Sequence, residues 1–260
     1  MARISDIYAF LNERFPFCDA EKWDNSGYLV QSDCEVKKII VSLDATREVV
    51  KEASQKGAEL IVTHHPVIFN PISSLNLSNP AVLAVKSSIA IISAHTNYDV
   101  SPLGADALLE EKFVKHFAFT DIKLLDVTDR VKNIGFGRIG VLEKPQSCDE
   151  FAKNLKTLFN ADCLRFTPCD KPIKKVAFCC GGGSSYIGAA ISLGCDAYIT
   201  SDVKHSSYIE AQNSNLALFT PTHYQMEKAA MARLAGALSE KFPELEVIES
   251  EFEAEPSKTV

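Results

Sequence analysis

The chain carries one α/β unit twice, and this repeat constrains its fold more than any other feature. Lys37-Lys38-Ile39-Ile40-Val41 leads through a helical stretch to Gly57-Ala58-Glu59-Leu60-Ile61-Val62-Thr63-His64-His65. Lys174-Lys175-Val176-Ala177-Phe178 leads likewise to Gly194-Cys195-Asp196-Ala197-Tyr198-Ile199-Thr200-Ser201-Asp202. The runs align without a gap, because 174 − 37 and 194 − 57 both equal 137. Downstream, each half has another apolar run and then a His-x-x-x-carboxylate element, His95 to Asp99 and His223 to Glu227. Strand-sized apolar runs alternating with helical stretches predict parallel sheets with right-handed crossovers. The expected fold is therefore α/β: two similar domains with mainly parallel sheets, related by an internal repeat, with a dinuclear metal site at the carboxyl ends of strands.

The domains are read as 1–126, carrying the double histidine, and 127–260, whose segment from about residue 221 returns to the metal site. The polar stretch Asp126 to Lys132 reads as the linker between them. In the first half, Ile39 to Leu43 reads as a buried strand and Thr46 to Lys56 as its helix, with Gly57 as C-cap. Leu60 to Thr63 and Ile89 to Ser93 are further strands. Asn79 to Ser87 is a helix with Pro80 in an allowed first-turn position. In the second half, Gly135 to Leu142 and Cys163 to Phe166 read as strands and Cys148 to Phe159 as a helix. Gln225 to Phe242 is the closing helix, and Glu246 to Ser250 a last short strand.

A hydrophobic fraction of 46% and a charged fraction of 23% are those of a soluble globular chain. No apolar run approaches the roughly 20 residues of a membrane helix. The N-terminus lacks the apolar core of a secretory signal. The expected location is the cytoplasm, with the eight cysteines as reduced thiols. No CxxC pair marks a zinc knuckle. A net charge of −7 gives no electrostatic footprint for nucleic acid.

In open α/β sheets, ligands gather at the carboxyl ends of strands. His64, His65, Asp99, His223 and Glu227 all fall just after predicted strands, and imidazole with carboxylate suits two divalent ions such as Zn, Mn, Fe, Ni or Co. His223 and Glu227 lie one helical turn apart on one face. His-His followed by Pro66 favours a turning backbone, so that neighbouring ligands serve different ions. His95 is a candidate for proton transfer, with ligation or support of a ligand as the other roles open to it. His116 reads as a helix-surface histidine. His205 stands between that reading and a place in a substrate pocket. Gly181-Gly182-Gly183-Ser184-Ser185 follows a strand and precedes a helix, which is either an anion-binding turn or a plain tight turn. With Lys204, Gly181 to Ser184 form the candidate contacts for a phosphorylated or nucleotide substrate.

At Trp23-Asp24-Asn25-Ser26-Gly27, Ser42-Leu43-Asp44-Ala45-Thr46, Thr63-His64-His65-Pro66, His95-Thr96-Asn97-Tyr98-Asp99 and His223-Tyr224-Gln225-Met226-Glu227 the chain resembles the GTP cyclohydrolase I type 2 homologue family. These are Nif-three-like proteins with a dinuclear metal centre. The motifs occur in family order over nearly the whole chain, which is similar to the short form without an inserted domain. The resemblance implies a toroidal homohexamer and two metals held by the five residues above, with Asp99 and Glu227 as bridges. The chain departs from the family pattern at Ser206, where a histidine is expected, and at Thr220-Pro221-Thr222 before His223. The function expected is metal-dependent hydrolysis of a nucleotide or phosphorylated metabolite. The alternative is a non-enzymatic, ring-shaped metal-binding or regulatory protein with a protein or nucleic-acid partner.

Overall fold

The computed structural model describes residues 1–258. They form two compact units: Met1–Tyr98 with Lys228–Ala254, and Asp99–Glu227 with the residues from Glu255 on.

In the first unit a five-stranded sheet runs Glu246–Glu249, Lys38–Ser42, Leu60–Thr63, Ala90–Ser93, Gly27–Val30. The first four strands are parallel and the last is antiparallel. Leu60–Thr63 and Ala90–Ser93 are buried at every position, as strands covered on both faces must be. Helix Arg47–Lys56 starts where the Thr46 side chain accepts the Val49 N–H at 3.2 Å. It stops at Gly57, whose φ of +67° a side-chain-bearing residue adopts only at a cost.

In the second unit a six-stranded sheet runs Phe119–Asp129, Ile134–Gln146, Ile173–Phe178, Ala197–Ile199, Ala217–Thr220, Arg165–Thr167. Only its three inner repeat strands are parallel to one another; the other pairings are antiparallel. The expectation of mainly parallel sheets thus holds for the first unit and is corrected to a mixed sheet in the second. The causes are the long hairpin Phe119–Gln146 at one edge and strand Arg165–Thr167, antiparallel to Ala217–Thr220, at the other. The hairpin's turn occupies the stretch expected as a linker: Asp129 Oδ1 accepts the N–H groups of Val131 and Lys132 at 2.8 and 3.0 Å. Polar residues there close a turn, so residue 127 lies inside a strand and not at a boundary. The closing strand Glu246–Glu249 likewise pairs with Lys38–Ser42 of the first unit, not with the second half of the chain.

The repeat is reproduced bond by bond. Ile39 pairs with Leu60 and Val176 with Ala197, each position shifted by 137. The Glu59 carboxylate accepts the N–H groups of Lys37 and Lys38 at 2.9 and 3.0 Å. At the equivalent place Asp196 accepts those of Lys174 and Lys175 at 3.0 and 2.8 Å. Lys38 Nζ donates to the Lys56 carbonyl and Lys175 Nζ to that of Leu193. Gly194 turns at φ +69°, as Gly57 does at +67°. The cores correspond too: Ile40, Val50, Ala53, Ala58 and Ile61 in one, Ala177, Ile187, Ala190, Cys195 and Tyr198 in the other. Burying each large apolar side chain contributes about 1.5–3 kcal/mol. Among the described residues no helix is long and apolar enough to cross a membrane.

Candidate metal centre

In the first unit, strand Leu60–Thr63 delivers His64 and His65, and strand Ala90–Ser93 delivers His95. The backbone is pinned where the histidines leave the sheet: His64 N–H donates to the Ser42 carbonyl at 3.2 Å and His65 N–H to that of Leu43 at 2.8 Å. Thr63 Oγ1 donates to the His65 carbonyl at 2.9 Å, which turns the chain so that both rings join one cluster. Ring centroids lie 5.0 Å apart for His64 and His65, 5.1 Å for His64 and His95, and 5.6 Å for His65 and His95. Each ring offers one nitrogen, and these atoms lie within 4.8 Å of one another.

Each Nδ1 faces an oxygen: the Ala94 carbonyl for His64 at 2.9 Å, Asp44 for His65 at 2.9 Å, and Asp24 for His95 at 2.8 Å. A carbonyl or carboxylate oxygen can only accept, so Nδ1 carries a proton, and in the neutral ring Nε2 is the nitrogen that bears the lone pair. That is how metal-binding histidines are oriented and made more basic. Asp24 is itself tightly held. Burial alone would raise its carboxyl, but hydrogen bonds from His95, Thr96 and Ser26 outweigh this and hold it well below the usual carboxylate range.

The second unit holds the first turn of helix His223–Lys241, which begins with His223 and places Glu227 one turn on. His223 Nε2 lies 2.8 Å from Glu227 Oε2, and Nδ1 lies 2.5 Å from Asp202 Oδ2. Asp202 occupies the repeat position of His65, since 202 − 65 is 137. Asp99 and Glu227 present oxygens within 4.8 Å of one another, and Glu227 is only 3% exposed. Two carboxylates this close and sheltered repel unless a cation lies between them or one is protonated. The donors of both units, imidazole nitrogen and carboxylate oxygen, fit divalent first-row metals. Among the described residues, no cysteine belongs to these ligand groups; burial, with Asp106 adding to it, pushes the Cys179 and Cys180 thiols well above their ordinary range.

The glycine turn has a steric role that the sequence did not reveal. A Cβ on Gly181, at φ +60°, would stand 2.0 Å from Glu227 Oε1 and 3.1 Å from His223 Nε2. Thr200 Oγ1 donates to the Gly181 carbonyl at 2.9 Å and accepts the Gly183 N–H at 2.8 Å. Gly181 and Gly183 are buried, whereas Gly182 is exposed and Ser184 half-buried. Lys204 and His205 are exposed at the start of helix His205–Asn213, and His116 is exposed on its helix. The structure thus brings His95 to His64 and His65, and His223 and Asp99 to Glu227. Sequence reasoning gave no role to Asp24, Asp44 or Asp202; position offers only the weak clue that Asp44 and Asp202 follow strand ends.

The family model for Duf34/NIF3 (NGG1p interacting factor 3) matches residues 2–256. A Helicobacter pylori protein named GTP cyclohydrolase 1 type 2 is 31% identical over 256 residues, covering 96% of this chain and 97% of its own. A Clostridium perfringens protein named as a homologue of that enzyme is 29% identical over 245 residues, 92% of each. Among solved structures, a hypothetical protein of Staphylococcus aureus has a TM-score of 0.86 at 25% identity, covering 99% of both chains.

Proposed function

This chain belongs to the Duf34/NIF3 family, and from that membership we propose that it is a metal-dependent hydrolase with two divalent ions per chain. His64, His65, Asp99, His223 and Glu227 would hold the ions. The observation that supports this most is the shared orientation of His64, His65, His95 and His223, each with Nδ1 against an oxygen. When bound, such an ion pair supplies Lewis acidity that lowers the pKa of water toward neutrality.

His95 is the proton-transfer group: Asp24 fixes its tautomer, leaving Nε2 as the base. Gly182, Ser184 and Lys204 contact the anionic groups of the substrate, while Gly181 and Gly183 shape the turn. The names of the relatives point to a nucleotide, GTP among them. The working form is a cytoplasmic homohexamer. Glu227→Ala should abolish turnover of a nucleotide panel while circular dichroism stays native. Full activity in that variant would overturn the proposal, and reversible nucleotide binding without product by the unsubstituted, metal-loaded protein would replace it with a non-enzymatic binding role.

A further inference from the structure

Two large aromatic side chains stand exposed beside the histidine cluster of the first unit, Trp23 at 59% and Phe69 at 45%. Their ring centroids are 6.0 Å apart, and each lies 6.2 Å from the His95 ring, at an interplanar angle of 77°. The Trp23 and Phe69 planes are inclined at 47° to one another, so the three rings form one corner, with the indole and phenyl groups partly exposed to water. Leaving an indole this exposed forgoes much of the free energy its burial would contribute.

Nor is the pair loose. Asn25 Nδ2 donates to the Ile68 carbonyl at 2.6 Å, which ties the turn after Trp23 to the residue before Phe69. Asp24, the residue after Trp23, accepts from Ser26 Oγ at 2.7 Å and Thr96 Oγ1 at 2.6 Å and meets the His95 ring at 2.8 Å. The backbone beside both rings is thus pinned while the rings stay partly exposed, which is a preorganised aromatic surface.

We infer that Trp23 and Phe69 form an aromatic subsite beside His95 for a flat heteroaromatic ring of the purine class, which stacks on one of the two rings and meets the other, inclined at 47° to it, at an angle. Stacking on aromatic side chains contributes about 1–3 kcal/mol per base and needs no charge on the ring. Asp24 is committed to His95, Thr96 and Ser26, so it does not present the free carboxylate that a cationic ligand would use. The subsite rests on the reading of the neighbouring histidines as a reaction centre, and it selects which molecules reach that centre.

Trp23 is the chain's single tryptophan, so its emission reports the subsite directly. The full-length, metal-loaded protein is titrated with guanosine monophosphate and, separately, with ribose 5-phosphate, which lacks the ring. Saturable quenching by the nucleotide and none by the sugar phosphate is expected. Phe69→Ala should weaken that binding about tenfold, one lost aromatic contact, while its bound metal, read by elemental analysis, stays at the wild-type value. Trp23→Ala, followed by equilibrium dialysis, should show a loss at least as large. No quenching in protein that carries its metal would overturn the subsite and leave the metal reading standing. Quenching in protein that takes up no metal would keep the subsite and remove that reading.

Discussion

The first repeat ends its second strand in His64 and His65, whereas the second ends the same strand in Ser201 and Asp202. Behind these ends the two units keep the same ladder register, a carboxylate at the same place under the strand starts and the same glycine turn. The orienting roles are exchanged. In the first repeat Asp44 orients His65; in the second, Gly181 stands at the place of Asp44 and Asp202 at that of His65, and Asp202 orients His223. Backbone pairing and core burial fix the scaffold, while strand-end side chains are free to diverge because little of the fold depends on them.

Substitutions at matched positions can break this comparison. The largest effect is expected at Gly181→Ala, whose new methyl would collide with Glu227 Oε1. Metal affinity should fall more than about 100-fold, beyond the 10–100-fold typical of losing a ligand's orienting partner. Asp44→Ala at the equivalent place should stay within that range, because His65 itself remains. Competition against a chelating dye reads both, and equal losses would contradict the steric role of Gly181.

A smaller effect is expected at Glu59→Gln and Asp196→Asn, the larger of the two at Asp196, which also pairs with Lys171 at 2.8 Å. Each carboxylate accepts two backbone N–H groups, and loss of the charge should cost about 1–2 kcal/mol at either site, read by denaturant unfolding. Asp196 adds a pH signature. Burial would raise its carboxyl, but the Lys171 ammonium and the amides of Lys175 and Lys174 hold it below the usual range. Its contribution is therefore complete above the unfolded pKa of about 3.9 and is lost as pH falls through the depressed folded value. Asp196→Asn should flatten that part of a plot of Tm against pH.

The smallest effect belongs to Gly57→Ala and Gly194→Ala. Both turns have positive φ with open space around the missing Cβ, so each should lose only about 1 kcal/mol, with metal binding unchanged. A much larger loss at one of them would show that the two turns are not equivalent.

The repeat was legible because buried parallel strands are continuous apolar runs, and because Thr46 and Gly57 mark the ends of a helix. The hairpin was not: strand Phe119–Asp129 is exposed or half-buried at most positions and breaks register twice, so it lacks the alternation by which strands are read. Strand Glu246–Glu249 pairs with Lys38–Ser42 across most of the chain, a partnership that local pattern cannot carry. His64, His65, Asp99, His223 and Glu227 stood out as residue types at strand ends. Their orienting acids did not, because Asp24 reaches His95 over 71 residues, and Asp44 and Asp202 reach their histidines over 21.

The most direct test of the account is elemental analysis of untagged, gently purified protein, expressed as ions per chain. About two ions of a single divalent element are predicted, as in two-metal hydrolytic sites. No bound metal, with none taken up on titration, would contradict it and leave the oriented histidines as structural groups.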